Sequence, residues 1–194
     1  MRGADKGGRA LTRAVPVRIP LDHRLRTRRI LLRRFVEPDA ARVCEIQSNW
    51  NVTRMLRLAS FPPTLEAIRI WLLGHQGEWE RGTAHRFALI FEDVLIGCAD
   101  IDEIGNGRGE LGYWLDEPYW GRGLASEAAE ALLGFAFDAL RLGHLWSGHA
   151  ADNPASGRVL EKLGFRFVGE TKKWSQPRQR EIMHRGYQLA QALP

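Results

Sequence analysis

The sequence predicts a mixed α/β domain folded around one sheet, with about seven strands and about four helices. Three observations carry this. Apolar runs at residues 86–91 and 95–102 are joined by the short Glu92-Asp93 turn, which reads as a β-hairpin. Residues 110–140 read as strand, glycine turn and helix in immediate succession. Strand and helix then alternate towards the end of the chain.

The elements follow in order. Residues 1–23 carry glycine, proline and arginine with no sustained period. They read as a mobile basic extension ahead of a single domain, residues 24–194. The extension is Arg-rich and acid-poor, as an organellar transit peptide would be. A long start in a bacterial protein, or an arm that touches ribosomal RNA, fits the same composition. Residues 28–35, with Ile30, Leu31 and Leu32, form the first strand. Glu37-Pro38-Asp39 opens a helix that buries Val43 and Ile46 and ends near Ser48. Residues 49–61 form a loop. Phe61-Pro62-Pro63 breaks the chain, and Thr64 caps a second helix holding Leu65, Ile68, Trp71 and Leu72.

After the hairpin, Gly105, Gly107 and Gly109 make a flexible link into a central strand. There Leu111, Tyr113 and Leu115 alternate with Gly112, Trp114 and Asp116. The helix from Ala125 sets Ala128, Ala129, Leu132, Leu133, Ala136 and Leu140 on one side. Residues 144–149 are a short strand. Asn153-Pro154 opens a helix with Val159, Leu160 and Leu163 inward, and Gly164 closes it. Residues 165–168 are a strand, and a last strand lies within residues 180–189.

Composition excludes several classes. The formal net charge of +5 is unevenly spread. Residues 1–34 hold eleven of the 28 Lys and Arg and two of the 23 Asp and Glu, a net +9. Residues 35–194 keep the other 17 bases and 21 acids, a net −4. The body is therefore mildly acidic, which argues against a nucleic-acid-binding face on the fold itself. No apolar run approaches the roughly 18 residues a membrane span needs. Cys44 and Cys98 stand far apart, give no disulfide framework and no metal spacing, and make a cytoplasmic compartment the default. Both read as small buried hydrophobes. His75, His85, His144, His149 and His184 are dispersed with no metal spacing and read as structural.

The central stretch, residues 110–125, is E-L-G-Y-W-L-D-E-P-Y-W-G-R-G-L-A. It breaks at Glu117-Pro118 and turns through Gly121 and Gly123 into the helix. Such a turn presents unpaired N–H groups at the positive end of a helix dipole, an anion site for which phosphate is the usual guest. The two glycines let a phosphate approach the backbone, and Arg122 can add a charge-assisted contact. The same glycines also fit a plain turn.

W-G-R-G-L-A resembles the acetyl-coenzyme A loop of the GNAT superfamily, Q/R-x-x-G-x-G/A, with Gly123 and Ala125 at the two small positions. Trp120 stands where Gln or Arg is commonest. G-Y-W-L followed by P-Y-W-G-R-G-L-A is similar to the Rim-type enzymes, which acetylate the N-termini of ribosomal proteins. The likeness runs from Arg28 to about Leu189. It implies a GNAT fold, with a mostly antiparallel sheet splayed at its central strands, and acetyl-coenzyme A as cosubstrate without a metal. It also implies that the N–H groups of Gly121, Arg122, Gly123, Leu124, Ala125 and Ser126 hold the pyrophosphate. Trp114 and Leu115 would offer backbone groups to the pantetheine arm at the splay. The first two helices and the loop between them would flank the acceptor pocket.

Asn153-Pro154-Ala155-Ser156 matches the family's N-x-x-S. On the resemblance, Asn153 hydrogen-bonds the pantetheine arm and Ser156 donates to the leaving sulfur. The local alternative is Asn153 as a helix cap with Ser156 in the first turn. Glu110 is the candidate base, since the resemblance sets the head of the central strand beside the thioester. A solvated strand-start residue is the plain alternative, and Asp100 and Asp102 on the preceding strand are rivals. Asp116 and Glu117 lie nearer the phosphate loop, where a base is less useful. The segment 172–180 reads as a solvated loop or as part of the acceptor entrance.

These features predict an N-acetyltransferase acting on a primary amine, in a protein N-terminus or a small molecule, by direct transfer in a ternary complex. An α-amine with a pKa near 7.7–8.0 is neutral about one time in ten at pH 7; a lysine near 10.4 only about once in 2,500. The competing reading is a non-catalytic acetyl-coenzyme A-binding module that docks on ribosome or RNA through the basic arm. No membrane partner is expected, and monomer and homodimer both remain open.

Overall fold

The protein is described here by a computed structural model covering residues 17–191. Among the described residues, eight strands form one sheet in the order β1-β2-β3-β4-β5-β6-β8-β7. These are β1 (Leu25–Arg26), β2 (Ile30–Arg34), β3 (His85–Phe91), β4 (Val94–Gly105), β5 (Arg108–Leu115), β6 (His144–Ala150), β7 (Arg166–Ser175) and β8 (Arg180–Ala190). Every pairing is antiparallel except β5 with β6. Five α-helices accompany them: α1 (Asp39–Gln47), α2 (Trp50–Thr53), α3 (Leu65–Arg81), α4 (Leu124–Gly134) and α5 (Pro154–Lys162).

The expected mixed sheet is present, with one strand and one helix more than the sequence reading gave. The two-residue β1 is too short to show a period, and α2 lies inside the expected loop, started by Asn49 accepting from the Asn51 N–H. The link expected to be flexible is a tight hairpin. Asn106 and Gly107 both take positive φ (51° and 73°), the pattern of a two-residue turn that matches strand twist. Strand β7 runs to Ser175, well past Val168, so the 172–180 segment is half strand and half turn.

The core divides by sheet face. On one face α4 lays Ala128, Ala129 and Leu132 against Phe87, Ile101, Leu111 and Leu145. On the other, Val43, Ile46, Ile68 and Leu72 of α1 and α3 pack with Ala88 and Cys98. Residues 1–16 of the expected basic extension lie outside the described residues. Within the described residues the chain meets the fold ahead of residue 24. Ile19 packs on the core, its carbonyl accepts from the buried Trp79 indole N–H at 3.0 Å, and His23 meets Phe135 with ring centroids 5.3 Å apart. A buried indole needs an acceptor, and the incoming chain supplies it.

His75, His85 and His184 serve as buried rings. His85 is fully buried between Trp79 and Phe135, and among the described residues neither of its ring nitrogens has a partner. Burial lowers all three to a pKa of about 4. The unfolded chain would protonate them near pH 6.5, so their contribution is complete above that value and is lost as pH falls towards 4. Urea unfolding should therefore show stability dropping between pH 6.5 and 4. The share from one such histidine is on the order of 1–3 kcal/mol. His85→Phe should flatten that fall; an unchanged slope would mean the ring is not buried neutral.

Candidate active site

Strands β5 and β6 pair only at Arg108–His144, Gly109–Leu145 and Glu110–Trp146. Beyond that, β5 stays with β4 to Leu115, and β6 stays with β8 to Ala150. The sheet therefore splits. A groove of about 440 Å³ runs through the split. Its walls come from the end of β5, the turn at 119–123, the first turn of α4, the end of β6 and the length of α5. Val52, Met55 and Leu56 reach it from the α2 side.

The structure brings most of the expected cofactor residues to this groove. Trp114, Leu115, Gly121, Gly123, Leu124, Ala125, Ser126 and Asn153 line it, together with the candidate acid Ser156. Gly121 and Gly123 have φ of 72° and 74°, which a residue with a Cβ adopts only under strain. Gly123 caps α4, and the first N–H of the helix bound to a backbone carbonyl is that of Glu127, which donates to Gly123 O. Among the described residues, the N–H groups from Gly121 to Ser126 find no such partner. This is a cradle of unpaired donors at a helix N-terminus, and it suits a diphosphate.

Two placements differ from expectation. Arg122 does not line the groove; its guanidinium lies 4.9 Å from the Phe91 ring centroid and 5.6 Å from that of Tyr119. In β5 the backbone of Trp114 faces β4, with its carbonyl against Gly97. Leu111 O accepts from Ser147 Oγ and Leu115 O from the Trp120 indole, each at 2.8 Å. Odd-numbered residues of β5 therefore turn their backbone towards the split, and the alternation of a strand gives Tyr113 that direction too. Tyr113, rather than Trp114, presents backbone groups there, while Trp114 lends its side chain. Trp120 thus has a role its aromatic ring hid in the sequence: it closes the strand end.

Asn153 is the cap the local alternative predicted, its Oδ1 accepting from the Ser156 N–H at 3.3 Å. Its amide nitrogen is left to the groove. Ser156 Oγ is 2.8 Å from the Tyr113 hydroxyl, which is also 3.1 Å from Ser156 O. Burial pushes Tyr113 up to about 12, so it remains a protonated phenol at neutral pH. In the sequence Tyr113 stands only in the alternation of the central strand; only the tertiary approach of α5 to β5 shows the pair.

Glu110 does not line the main groove. It sits at the vertex of the split, in a shallower hollow of about 290 Å³ with Glu103, Arg108 and Trp146. Its register with Asp102 and Trp146 puts it on the sheet face opposite Tyr113. Glu110 has no hydrogen bond or ion pair among the described residues. Burial raises its pKa, helped by Asp102 and Glu103. Its rivals are engaged: Arg86 Nη1 lies 3.1 Å from Asp100 and 3.0 Å from Asp102. Asp100 is nonetheless raised by burial, and its carboxylate occupies the space over Gly112 that a Cβ would need. Asp116 pairs with Arg42, and Glu117 accepts from Asn49 (2.6 Å) and Asn51 (3.0 Å), tying the α1–α2 junction to the turn.

The turn after β7 closes the α2 side. Arg178 donates to Arg54 O at 2.7 Å and to both Asp152 oxygens at 2.8 and 3.0 Å. The Gln176 N–H donates to Arg57 O at 2.9 Å.

Comparison with known proteins agrees with this geometry. Residues 29–166 match the model of the acetyltransferase (GNAT) domain. The chain belongs to the GNAT acetyltransferase family. It is 30% identical over 162 residues to the uncharacterized N-acetyltransferase p20 of Bacillus licheniformis, covering 81% of this chain and 90% of that one. It is 31% identical over 140 residues to the ribosomal-protein-serine acetyltransferase of Escherichia coli (strain K12), covering 71% and 77%. A GNAT acetyltransferase structure from Bacillus anthracis superposes with a TM-score of 0.74 at 26% identity, covering 87% and 98%. RimL, a ribosomal L7/L12 alpha-N-protein acetyltransferase solved with coenzyme A, shares the fold with a TM-score of 0.78 at 20% identity, covering 87% and 98%. This GNAT enzyme is an acetyltransferase of the Rim-type group.

The cradle predicts a clear failure. In Gly123→Val the left-handed cap is strained and the approach to the N–H groups is blocked. Calorimetry on the folded variant should show acetyl-coenzyme A affinity largely lost. Unchanged affinity would remove the turn from the cofactor site.

Proposed function

We propose that this GNAT enzyme transfers an acetyl group from acetyl-coenzyme A to a primary amine, directly and in a ternary complex. The acceptor is a protein N-terminal α-amine or a small-molecule amine. The observation that carries this is the placement of two unlike groups around one split. Glu110, unpaired and raised in pKa, stands on one face at the vertex. Ser156, backed by the Tyr113 phenol, stands on the other beside the cradle.

Acetyl-coenzyme A supplies an activated thioester. The cradle residues 121–126 bind its diphosphate, and Asn153 with the β5 edge orient its amide-bearing arm. Glu110 takes the proton of the amine, through water, on the acceptor side. Ser156 donates a hydrogen bond to the departing sulfur, and the Tyr113 hydroxyl, which bonds both Ser156 O and Oγ, holds the serine in place. Cys98 is unsuited to carry an acyl group: it is fully buried and its thiol is pushed well above its ordinary value by burial. The relatives' names as N-acetyltransferases favour turnover over the non-catalytic module. The basic arm, residues 1–23, with five Lys and Arg against two Asp, supports ribosome docking in this reading.

Acid or base assistance is typically worth about 10²–10⁴-fold. Glu110→Gln should lower kcat by that order and leave coenzyme A binding nearly intact. Burial raises Glu110, so the acidic limb of the wild-type pH profile should lie above the usual carboxylate range and vanish in the variant. The deficit should shrink as pH rises and more of the amine is already neutral. A fully active Glu110→Gln beside a dead Asp100→Asn would move the role to Asp100. Tyr113→Phe and Ser156→Ala should each lower kcat by less, without rescue at high pH; for the phenol, one hydrogen bond is worth about 2–10-fold.

Deleting residues 1–16 should leave acetylation of small amines unchanged. Rates on a ribosomal-protein N-terminus presented in the ribosome should drop. Equal rates on both substrates would leave the arm without a docking role.

A further inference from the structure

We propose that Arg29, not Arg122, is the cation that meets the diphosphate of the cosubstrate. This rests on the acetyl-coenzyme A reading of the groove and names a residue of that site. The turn at 121–123 looks in the sequence as though it carries its own arginine, but Arg122 is stacked on Phe91 and Tyr119. Arg29 immediately precedes β2 and, like Arg122, is not among the residues that line the groove, but it lies across the loop. Its Nη1 donates to Arg122 O at 3.1 Å, and its Nη2 is 3.7 Å from the place a Cβ would take on Gly123. Among the described residues Nη2 has no hydrogen-bond acceptor. One edge of a guanidinium is therefore fixed to the turn while another N–H is left over the residue that caps α4.

The reason Arg29 is there lies in the first turn of α4. Glu127 sits in that turn, with its side chain 17% exposed. A carboxylate there favours the helix dipole but repels an incoming phosphate. Glu127 is fully engaged instead. Thr27 Oγ1 donates to it at 2.6 Å, the Arg29 N–H at 2.8 Å and Arg29 Nε at 2.7 Å. These bonds hold its pKa below the ordinary glutamate value, against the desolvation that comes with partial burial. Glu127 thus remains an anion, its charge is cancelled by Arg29, and Arg29 is held rigidly in the process. A pre-placed planar fork loses little freedom when it binds an oxyanion. Arg158 and Lys162 on α5 line the opposite wall of the groove, so the ligand's anionic end meets cations from both sides.

The test is calorimetric and independent of turnover. Coenzyme A and dephospho-coenzyme A are titrated into the full-length protein and its variants. Arg29→Gln should weaken both ligands by about 10- to 100-fold, as expected for one charge-assisted bond. The loss should be equal for the two, because dephospho-coenzyme A keeps the diphosphate. Arg122→Gln should cost less. The double variant Arg29→Gln/Glu127→Gln should stay weak; recovered affinity would mean Arg29 only offsets Glu127, and would overturn the proposal. So would a loss confined to coenzyme A, or an unaffected Arg29→Gln beside a weakened Arg122→Gln. If Arg29→Gln does not fold, Arg29→Lys decides: affinity intermediate between wild type and the double variant is expected, and wild-type affinity for both ligands overturns the forked contact. Failure of wild type to bind either ligand is a separate result, which brings down the acetyl-coenzyme A reading as well.

Discussion

Strand β5 keeps β4 as its partner through Leu115 while β6 turns to β8, and the two part after Glu110 and Trp146. Each strand then carries a row of backbone groups with no strand to face. Buried backbone groups without partners are costly, so each must be satisfied by something. Ser147 and Trp120 satisfy Leu111 O and Leu115 O from the side. What remains, around Tyr113, is a strand edge that suits an extended ligand bearing amides. The rest of the site follows from that split. The groove exists because the sheet opens, and the N-termini of α4 and α5 both point into it because each helix follows one of the two parting strands.

Holding a sheet open requires ties around its rim, and these are ionic or amide-to-carboxylate pairs between distant segments. Arg29–Glu127 fixes the first turn of α4, just after the glycine turn, to the chain entering β2. Glu117 with Asn49 and Asn51, and Asp116 with Arg42, fix the opposite shoulder to α1 and α2. Arg178–Asp152 fixes the β7–β8 turn to the residue before Asn153. Exposed pairs add little stability one by one. Here their value is positional, since each joins two elements that border the groove and share no strand pairing.

Local signals in the sequence were enough for the elements with a strong period or a strong turn. The central strand, the α4 helix, the glycine turn and the Asn153 cap all lie where their residues place them. The Asn106-Gly107 hairpin was legible too, but three spaced glycines were read as looseness when only two residues make the turn. What was not legible depends on approach between distant parts of the chain. Nothing near Tyr113 in sequence announces Ser156, 43 positions away, and nothing near Arg29 announces Glu127. The surroundings of Arg122 were hidden for the same reason: its neighbour in sequence is the glycine turn, but its neighbours in space are two aromatic rings. Ile19 and His23 looked like extension because their partners, Trp79 and Phe135, are also far along the chain.

The two-faced arrangement also bears on which amine the proposed reaction suits. A base on the acceptor face must take a proton whose affinity depends on the acceptor. An α-ammonium near 7.7–8.0 lies about 2.5 units below a lysine ammonium near 10.4, a difference of about 3.5 kcal/mol in the work of deprotonation. Glu110, even raised by burial, is still a carboxylate and leaves most of that difference for the acceptor to meet. His184, across the split on β8, is held neutral at about 4 by burial and is too weak a base to do more than Glu110. A site whose base is a carboxylate therefore acts best on an amine that is already partly neutral. In the proposed function that condition places protein N-termini and weakly basic small amines ahead of lysine side chains and polyamines.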